Sequence, residues 1–169
     1  MEQTTFQKLV DQLMQLLSAY EQLLSIAQEK KVSIIHNKIE EVNIATKKES
    51  RLVQPISELE STIRGYMTAI QRELGLRPKL KLTLSDLIKI FTKPDEKLVL
   101  LDVKNKLATV TAELQHANEL NQQLIQQSLE YVNFSLDVLC GPEEEEVTYQ
   151  RPTYQQQPKK RTGLYDAKY

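Results

Sequence analysis

Several features that proteins commonly use are rare in this sequence of 169 residues, which has one cysteine, four glycines and no tryptophan. With Cys140 alone, no disulfide can form within the chain, which favours a reducing compartment. The longest run of consecutive apolar residues, 98–101, is four residues long, far short of the roughly 18 that a membrane span needs. The N-terminus also lacks the basic, apolar and small-residue regions of a signal peptide. We therefore expect a cytoplasmic protein without stable membrane insertion.

The charge of the chain is nearly balanced, with 22 Lys and Arg residues against 23 Asp and Glu residues and a net charge of −1. No global field therefore favours nucleic acid or an anionic membrane as a partner. Gln, Glu, Leu, Lys and Ile dominate instead, which is the composition of long amphipathic helices. The β-branched residues follow helical spacing rather than alternation. The sequence predicts an all-α protein.

Periodic apolar residues predict two long helices in the first half of the chain. The first spans residues 3–34, and Asn37, with Glu40 three residues later, is a candidate N-cap of the next helix. The second spans residues 38–74 and ends before Gly75, which suits the left-handed C′ position. Pro55 is expected to kink this helix rather than stop it, because the apolar stripe resumes in register. The two stripes are Phe6, Leu9, Leu13, Leu16, Tyr20, Leu23 and Ala27, and Ile39, Val42, Leu52, Ile56, Leu59, Ile63, Tyr66, Ile70 and Leu74.

Capping signals predict a short helix and a third long helix after a connector over residues 75–83. Thr83 or Ser85 caps the short helix, which ends near residue 91. Thr92 is the expected cap of the long helix, with Pro94 and two acidic residues in its first turn, and this helix reaches residue 139. Three long helices with short connectors predict an elongated antiparallel bundle, or a hairpin with an extra helix, in a domain of residues 1–140.

The last 29 residues, 141–169, differ in composition from the rest of the chain. They hold three of the six prolines and four of the seven tyrosines but few aliphatic residues. Such a segment cannot bury enough apolar surface to offset its ordering entropy, so the sequence predicts a disordered polar tail. Lys159, Lys160 and Arg161 are too few to indicate nucleic-acid binding, and the helical part has no basic stripe.

Deletion of residues 142–169 is expected to leave the melting temperature of the helical domain nearly unchanged, because an unpacked tail contributes no buried surface. Thermal unfolding of the full and shortened chains, followed by circular dichroism, checks this prediction. A drop of several degrees would show that the tail packs on the helices.

The last helix carries more apolar residues than one packing face uses. Its first part has a conventional inner seam, and Asn121 falls on that seam, where one polar residue fixes helix register at some cost in stability. From Ile125 onward a shifted seam follows, one residue out of phase, with Tyr131 and Phe134 beside it. The inner seam is Leu100, Val103, Leu107, Val110, Leu114, Ala117, Asn121 and Leu124; the shifted seam is Ile125, Leu129, Val132, Leu136 and Leu139.

Two explanations account for this surplus. In the first, the end of the helix is sandwiched between the first two helices, and both seams belong to the core. In the second, the inner seam packs internally while the shifted seam receives an amphipathic helix from a partner. An exposed seam without a partner would be an apolar patch of the kind that monomers avoid.

The sequence contains no signature of an enzyme. It has no glycine-rich phosphate loop and no GxSxG motif. His36 and His116 have no neighbours at the spacing of zinc ligands, and acidic pairs such as Glu40–Glu41 are typical of solvated helix faces. We therefore expect no catalytic residue, no metal site and no cofactor.

Several stretches resemble the FlgN family of flagellar export chaperones. The resemblance covers about residues 5–140 and includes a long first helix, with residues 27–30 before its turn, and a second helix with an arginine-containing stretch and a Leu-Gly end at residues 63–75. The final helix contains NELNQQLI at residues 118–125 and continues with SLEY from residue 128. GLYDAK at residues 163–168 is also similar to the ends of Gram-positive members.

This resemblance implies a cytoplasmic chaperone that binds hook-associated proteins, which form the hook–filament junction. Such a chaperone shields the client's aggregation-prone helical terminus and delivers it to the flagellar type III export apparatus. The family places client binding in the C-terminal helical region, so the expected client contacts are Ile125, Leu129, Val132, Leu136 and Leu139. Tyr131 and Phe134 are candidates for contact with the client or the export gate. The resemblance also leads us to expect a monomer or a weak homodimer. The alternative is a structural coiled-coil adaptor that self-associates through its C-terminal helix.

Overall fold

The computed structural model describes residues 4–75 and 82–141, and the regular elements in these ranges are all α-helices. They are α1 (Thr5–Ile35), α2 (Ile39–Glu73), α3 (Leu84–Ile90) and α4 (Pro94–Cys140). Three long helices and one short helix confirm the predicted fold class. The predicted tail, residues 142–169, lies outside the described residues. The chain divides by its internal contacts after Val132, so residues 4–132 and residues 133–141 are described separately.

A capping box begins α1, and a left-handed residue ends it. The Thr4 hydroxyl accepts a hydrogen bond from the Gln7 amide at 3.3 Å, and the Gln7 side chain accepts one from the Thr4 amide at 3.0 Å. At the other end Asn37 has φ 57°, and its amide bonds Ile34 O while the Lys38 amide bonds Ser33 O. This is the Schellman pattern.

The prediction that Asn37 caps α2 is therefore wrong. The residue before α2 is Lys38, and its side chain makes no capping hydrogen bond. Asn37 instead ends α1, because asparagine tolerates the left-handed conformation better than other residues with a side chain. The turn between the two long helices is consequently only three residues long.

Helix α2 runs without interruption through Pro55, so the predicted continuation past proline is confirmed. Ile56 and Ile63 beyond the proline are both buried, and their packing offsets the missing backbone donor. The helix ends at Glu73, and Gly75 has φ 70° with its amide bonded to Arg72 O, as predicted for a C′ glycine.

The two later helices have different starts. Thr83 caps α3 through a capping box with Asp86. The Asp86 carboxylate accepts hydrogen bonds from the Thr83 hydroxyl and amide, and these bonds lower the pKa of the Asp86 carboxyl. Helix α4 begins at Pro94, which occupies the first helical position. The residue before it is Lys93, so the prediction that Thr92 is the cap is wrong by one position.

Helices α1 and α2 form an antiparallel hairpin, with backbones that lie close together. Side-chain hydrogen bonds join them along its length: Thr5 to Glu73 at 2.6 Å, Tyr20 to Glu60 at 2.9 Å and Lys30 to Glu49 at 2.6 Å. The residue numbers rise on α1 as they fall on α2, which establishes the antiparallel direction.

One apolar core joins the hairpin to α3 and to the first part of α4. The rings of Phe6 and Phe91 meet edge to face at 5.3 Å, so α4 starts near the start of α1. Asn121 of α4 meets Ala27 of α1 farther along, and α4 therefore runs in the same direction as α1. The buried members of the core are Leu9, Val10, Leu13, Leu16, Ile56, Ile63, Ile70, Leu87, Ile88, Leu100 and Val103.

Burial of Tyr20, together with its hydrogen bond to the Glu60 carboxylate, raises the pKa of the phenol from 10.0 to about 12. The folded chain therefore keeps this proton at a pH at which the unfolded chain loses it. The resulting stability is complete below pH 10 and is lost as the pH rises toward 12. We expect Tyr20→Phe to lower the free energy of unfolding by about 1 kcal/mol relative to wild type at neutral pH, because the hydrogen bond to Glu60 is lost.

Urea titrations at neutral pH and above the ordinary tyrosine pKa check both parts of this prediction. The difference between wild type and Tyr20→Phe should shrink as the pH rises, because only the wild type loses the tyrosine contribution. A difference that stays constant with pH would contradict it.

Candidate partner-binding surface

The inner seam of α4 faces the hairpin as predicted, but it weakens along the helix. Leu100 and Val103 are fully buried, whereas Leu114 and Leu124 are half-buried. Asn121 is the exception, with 2% of its surface exposed and its amide nitrogen 2.8 Å from the Ala27 carbonyl oxygen. After Leu124 the next inward position is Ser128, whose hydroxyl donates a hydrogen bond to the Leu124 carbonyl oxygen in its own helix.

Within residues 4–132, the shifted seam lies at the edge of α4 beside the hairpin turn and is partly open to solvent. Ile125 is 39% exposed, Leu129 54% and Val132 50%, and Tyr131 beside them is also exposed. The first explanation of the surplus required this part of the seam to be buried between the other helices. The structure does not bury it there. A one-residue step turns a helix by about 100°, which is why neighbouring residues have such different surroundings.

An apolar cleft of about 300 Å³ lies between this part of the shifted seam and the turn of the hairpin. One wall is α4, and the other comes from the end of α1 and the start of α2. The apolar residues that line the cleft are Ile34, Ile39, Val42, Ile125, Leu129 and Val132. Two or three aliphatic side chains of a docking helix have about this volume, so the cleft can receive part of one helix face.

The hairpin wall of this cleft was not predicted. Ile39 was assigned to the internal stripe of α2, yet it is 70% exposed, because α2 begins at this residue and the core lies farther along the helix. The sequence does contain a signal: Ile34, Ile35 and Ile39 surround the turn residues, where solvated loops normally carry polar side chains.

An ion pair at the rim of the cleft is satisfied within the hairpin itself. Glu41 accepts hydrogen bonds from Lys38 at 2.7 Å and from the Ser33 hydroxyl at 2.9 Å. Both bonds lower the pKa of the Glu41 carboxyl, and the bond from Lys38 has the larger effect. Because these charges are already paired, the cleft favours an apolar ligand face over a charged one.

In the separate segment of residues 133–141, α4 continues to Cys140. The predicted contact residues Phe134, Leu136 and Leu139 are exposed by 66%, 51% and 82%. Cys140 is exposed as well, and Gly141 follows with φ 78°, the left-handed conformation expected at a helix end.

The side of α4 away from the shifted seam is polar. Hydrogen bonds four residues apart, such as Gln115 to Glu119 at 2.8 Å and Gln126 to Glu130 at 3.0 Å, support the helix there. The exposed polar residues are Glu119, Gln122, Gln123, Gln126, Gln127 and Glu130. The second half of α4 therefore has distinct apolar and polar surfaces.

Other kinds of site find no support in the described part of the chain. It contains no group of three or more His, Cys, Asp and Glu residues that could hold a metal ion. Within the same residues no helix is long and apolar enough to cross a membrane. His36 ends α1 and is exposed, and His116 is exposed on α4.

Comparison with known proteins identifies the family. A Bacillus subtilis (strain 168) protein, the uncharacterized protein YvyG, is 28% identical over 161 residues, which cover 95% of this chain and 96% of the relative. No solved structure matches the chain at a significant level. The family model described as FlgN protein matches residues 1–157. With a match over nearly its whole length, the chain belongs to the FlgN family.

Proposed function

We propose that this protein is a flagellar export chaperone that binds an amphipathic helix of a hook-associated client through the shifted seam of α4. Its family implies a non-enzymatic export chaperone with hook-associated clients in the cytoplasm. The observation that carries the assignment to α4 is the exposure of all five shifted-seam residues, together with Tyr131 and Phe134. Binding would cover an apolar surface that a monomer otherwise leaves in water.

The two aromatic residues beside the shifted seam are proposed as further partner contacts. Tyr131 is 71% exposed and Phe134 is similarly open. Aromatic side chains bury a large area for few rotatable bonds, and they frequently dominate the free energy of helix–protein interfaces. In this proposal the aliphatic shifted seam receives the client helix. A two-residue step, such as Leu129 to Tyr131 or Phe134 to Leu136, turns a helix by about 200°, so the aromatic residues contact a different part of the client or the export gate.

Size-exclusion chromatography with light scattering tests the proposal. The full chain is run alone and mixed with a hook-associated protein from the same organism. We expect a monomer or weak dimer alone and a stoichiometric 1:1 complex in the mixture. A stable homo-oligomer that forms no complex would instead support the alternative, a structural adaptor that uses the same seam for self-association.

Ile39→Asp should weaken client binding by about tenfold or more if the client enters the cleft, because the change places a charge on its hairpin wall. The fold should be unaffected, since Ile39 is 70% exposed. Ile44→Asp is a matched control: Ile44 lies on the same helix and is 53% exposed, but it lines a different depression. Calorimetric titration of both variants with the client measures the difference. If Ile39→Asp and Ile44→Asp bind the client with equal affinity, the hairpin wall is not part of the interface.

A further inference from the structure

Helix α4 is attached to the hairpin in two different ways along its length. Its first part contributes Leu100 and Val103 to the apolar core, where they are 0% and 2% exposed, and Leu107 packs against that core. Its second part turns Ala117, Asn121 and Ser128 inward, which are small or polar, and the inward Leu114 and Leu124 are only half-buried. Neither part of α4 brings its backbone as close to the hairpin as α1 and α2 bring theirs to each other in the described residues, so side-chain burial is what holds α4. The second part therefore has much less apolar burial to hold it.

Asn121 is the buried residue of this second part, and its hydrogen bonding is incomplete. Its amide nitrogen donates to the Ala27 carbonyl oxygen at 2.8 Å. Its side-chain oxygen is buried and has no hydrogen-bond partner among the described residues. A buried acceptor without a partner favours any state in which water can reach it. The hydrogen bond to Ala27 thus holds α4 closed, whereas the unpartnered oxygen of the same side chain favours its separation.

A cavity of about 460 Å³ with both polar and apolar lining residues adjoins this contact. Lys30 of α1 and Glu49 of α2 form an ion pair at 2.6 Å on one side, with side chains 14% and 20% exposed. Asn118 and Gln122 of α4 line the other side with Asn121. Because many of these groups gain water when α4 moves away, opening here costs less than it would at Leu100.

We propose that residues 110–132 of α4 act as a latch, which separates locally from the hairpin while residues 94–107 stay packed, and that the Asn121–Ala27 hydrogen bond is its closing contact. Opening uncovers Ala27, which is 0% exposed in the closed state, and apolar residues of α1 beside it, including Leu23. The latch is a property of the free chain and does not depend on the proposed chaperone function.

Native-state hydrogen exchange on the full chain, read by mass spectrometry, tests the latch. In the wild type, amides of residues 110–132 should exchange through a local opening, faster than the protected amides of residues 94–107 and of the hairpin. Asn121→Leu removes the unsatisfied oxygen and extends the inner seam, so it should slow exchange in residues 110–132 by about 10- to 100-fold. Equal protection along α4 in the wild type, or no slowing in Asn121→Leu, would overturn the proposal.

Two further variants keep the result interpretable. Asn105→Leu makes the same chemical change at an exposed position of α4 and should leave exchange unchanged. Asn121→Asp cannot donate to Ala27 and places a carboxylate in the contact, so it should speed exchange in residues 110–132 only. If Asn121→Asp instead loses protection throughout the hairpin and residues 94–107, the latch is not a separate unit and the proposal fails, even if Asn121→Leu does not fold.

Discussion

Leu129→Asp is expected to raise the Kd for a hook-associated client by about 30- to 1,000-fold, which corresponds to about 2–4 kcal/mol. Leu129 belongs to the shifted seam and also lines the cleft opposite the hairpin turn. A client helix that enters the cleft would therefore contact Leu129 on one wall and the hairpin residues on the other. An aspartate there would bury a charge without a partner in the complex, whereas in the free protein it remains in water.

The free protein should tolerate this change because Leu129 is 54% exposed. Gln123→Asp is the matched control, since it adds the same charge to the same helix at an exposed position on the polar side of α4. Calorimetric titration compares the affinities, and circular dichroism compares the helix content. If Leu129→Asp loses much of its helix content, the residue has a structural role and the assignment of the shifted seam to the client fails.

Leu100→Ala is expected to lower the free energy of unfolding by about 3 kcal/mol and the melting temperature by about 6–12 °C. Leu100 is 0% exposed and belongs to the core that joins α4 to the hairpin and to α3. Truncation leaves a cavity among residues that cannot all move to fill it. Most of the apolar burial of α4 is near this end, so few other contacts compensate.

The control for this prediction is Leu98→Ala, two residues earlier and 63% exposed. It makes the same change in helix propensity but removes little buried surface, so its melting temperature should lie within about 2 °C of wild type. Thermal and urea unfolding of both variants provide the comparison. Similar losses in the two variants would mean that Leu98 is covered in solution or that Leu100 is not a core anchor.

Most of the secondary structure follows from local chemistry in the sequence. Thr83 with Asp86, Pro94 and Gly75 each act within one turn of the chain, so their effects do not depend on the rest of the fold. Asn37 shows the limit of such reasoning: the residue suits both an N-cap and a left-handed C′ position. The choice between them depends on which neighbouring backbone groups need partners.

The surface at the shifted seam was only partly predictable for a different reason. The phase difference between Leu124 and Ile125 is visible in the sequence and indicates two apolar directions on one helix. Whether the second direction is covered depends on where the hairpin ends relative to α4, which is a tertiary property. The same property explains why Ile39, an apparent member of the α2 stripe, becomes part of an open cleft.

The one-residue offset between the inner and shifted seams makes the spacing along α4 as important as its composition. Deletion of a single residue between Val110 and Asn121 would rotate everything that follows by about 100° relative to the anchored start. Ile125 and Leu129 would then turn toward the hairpin, in place of Leu124 and Ser128. Such a chain would gain internal packing and lose its open apolar surface. For a chaperone, the evolution of this helix would therefore tolerate many substitutions but few insertions or deletions.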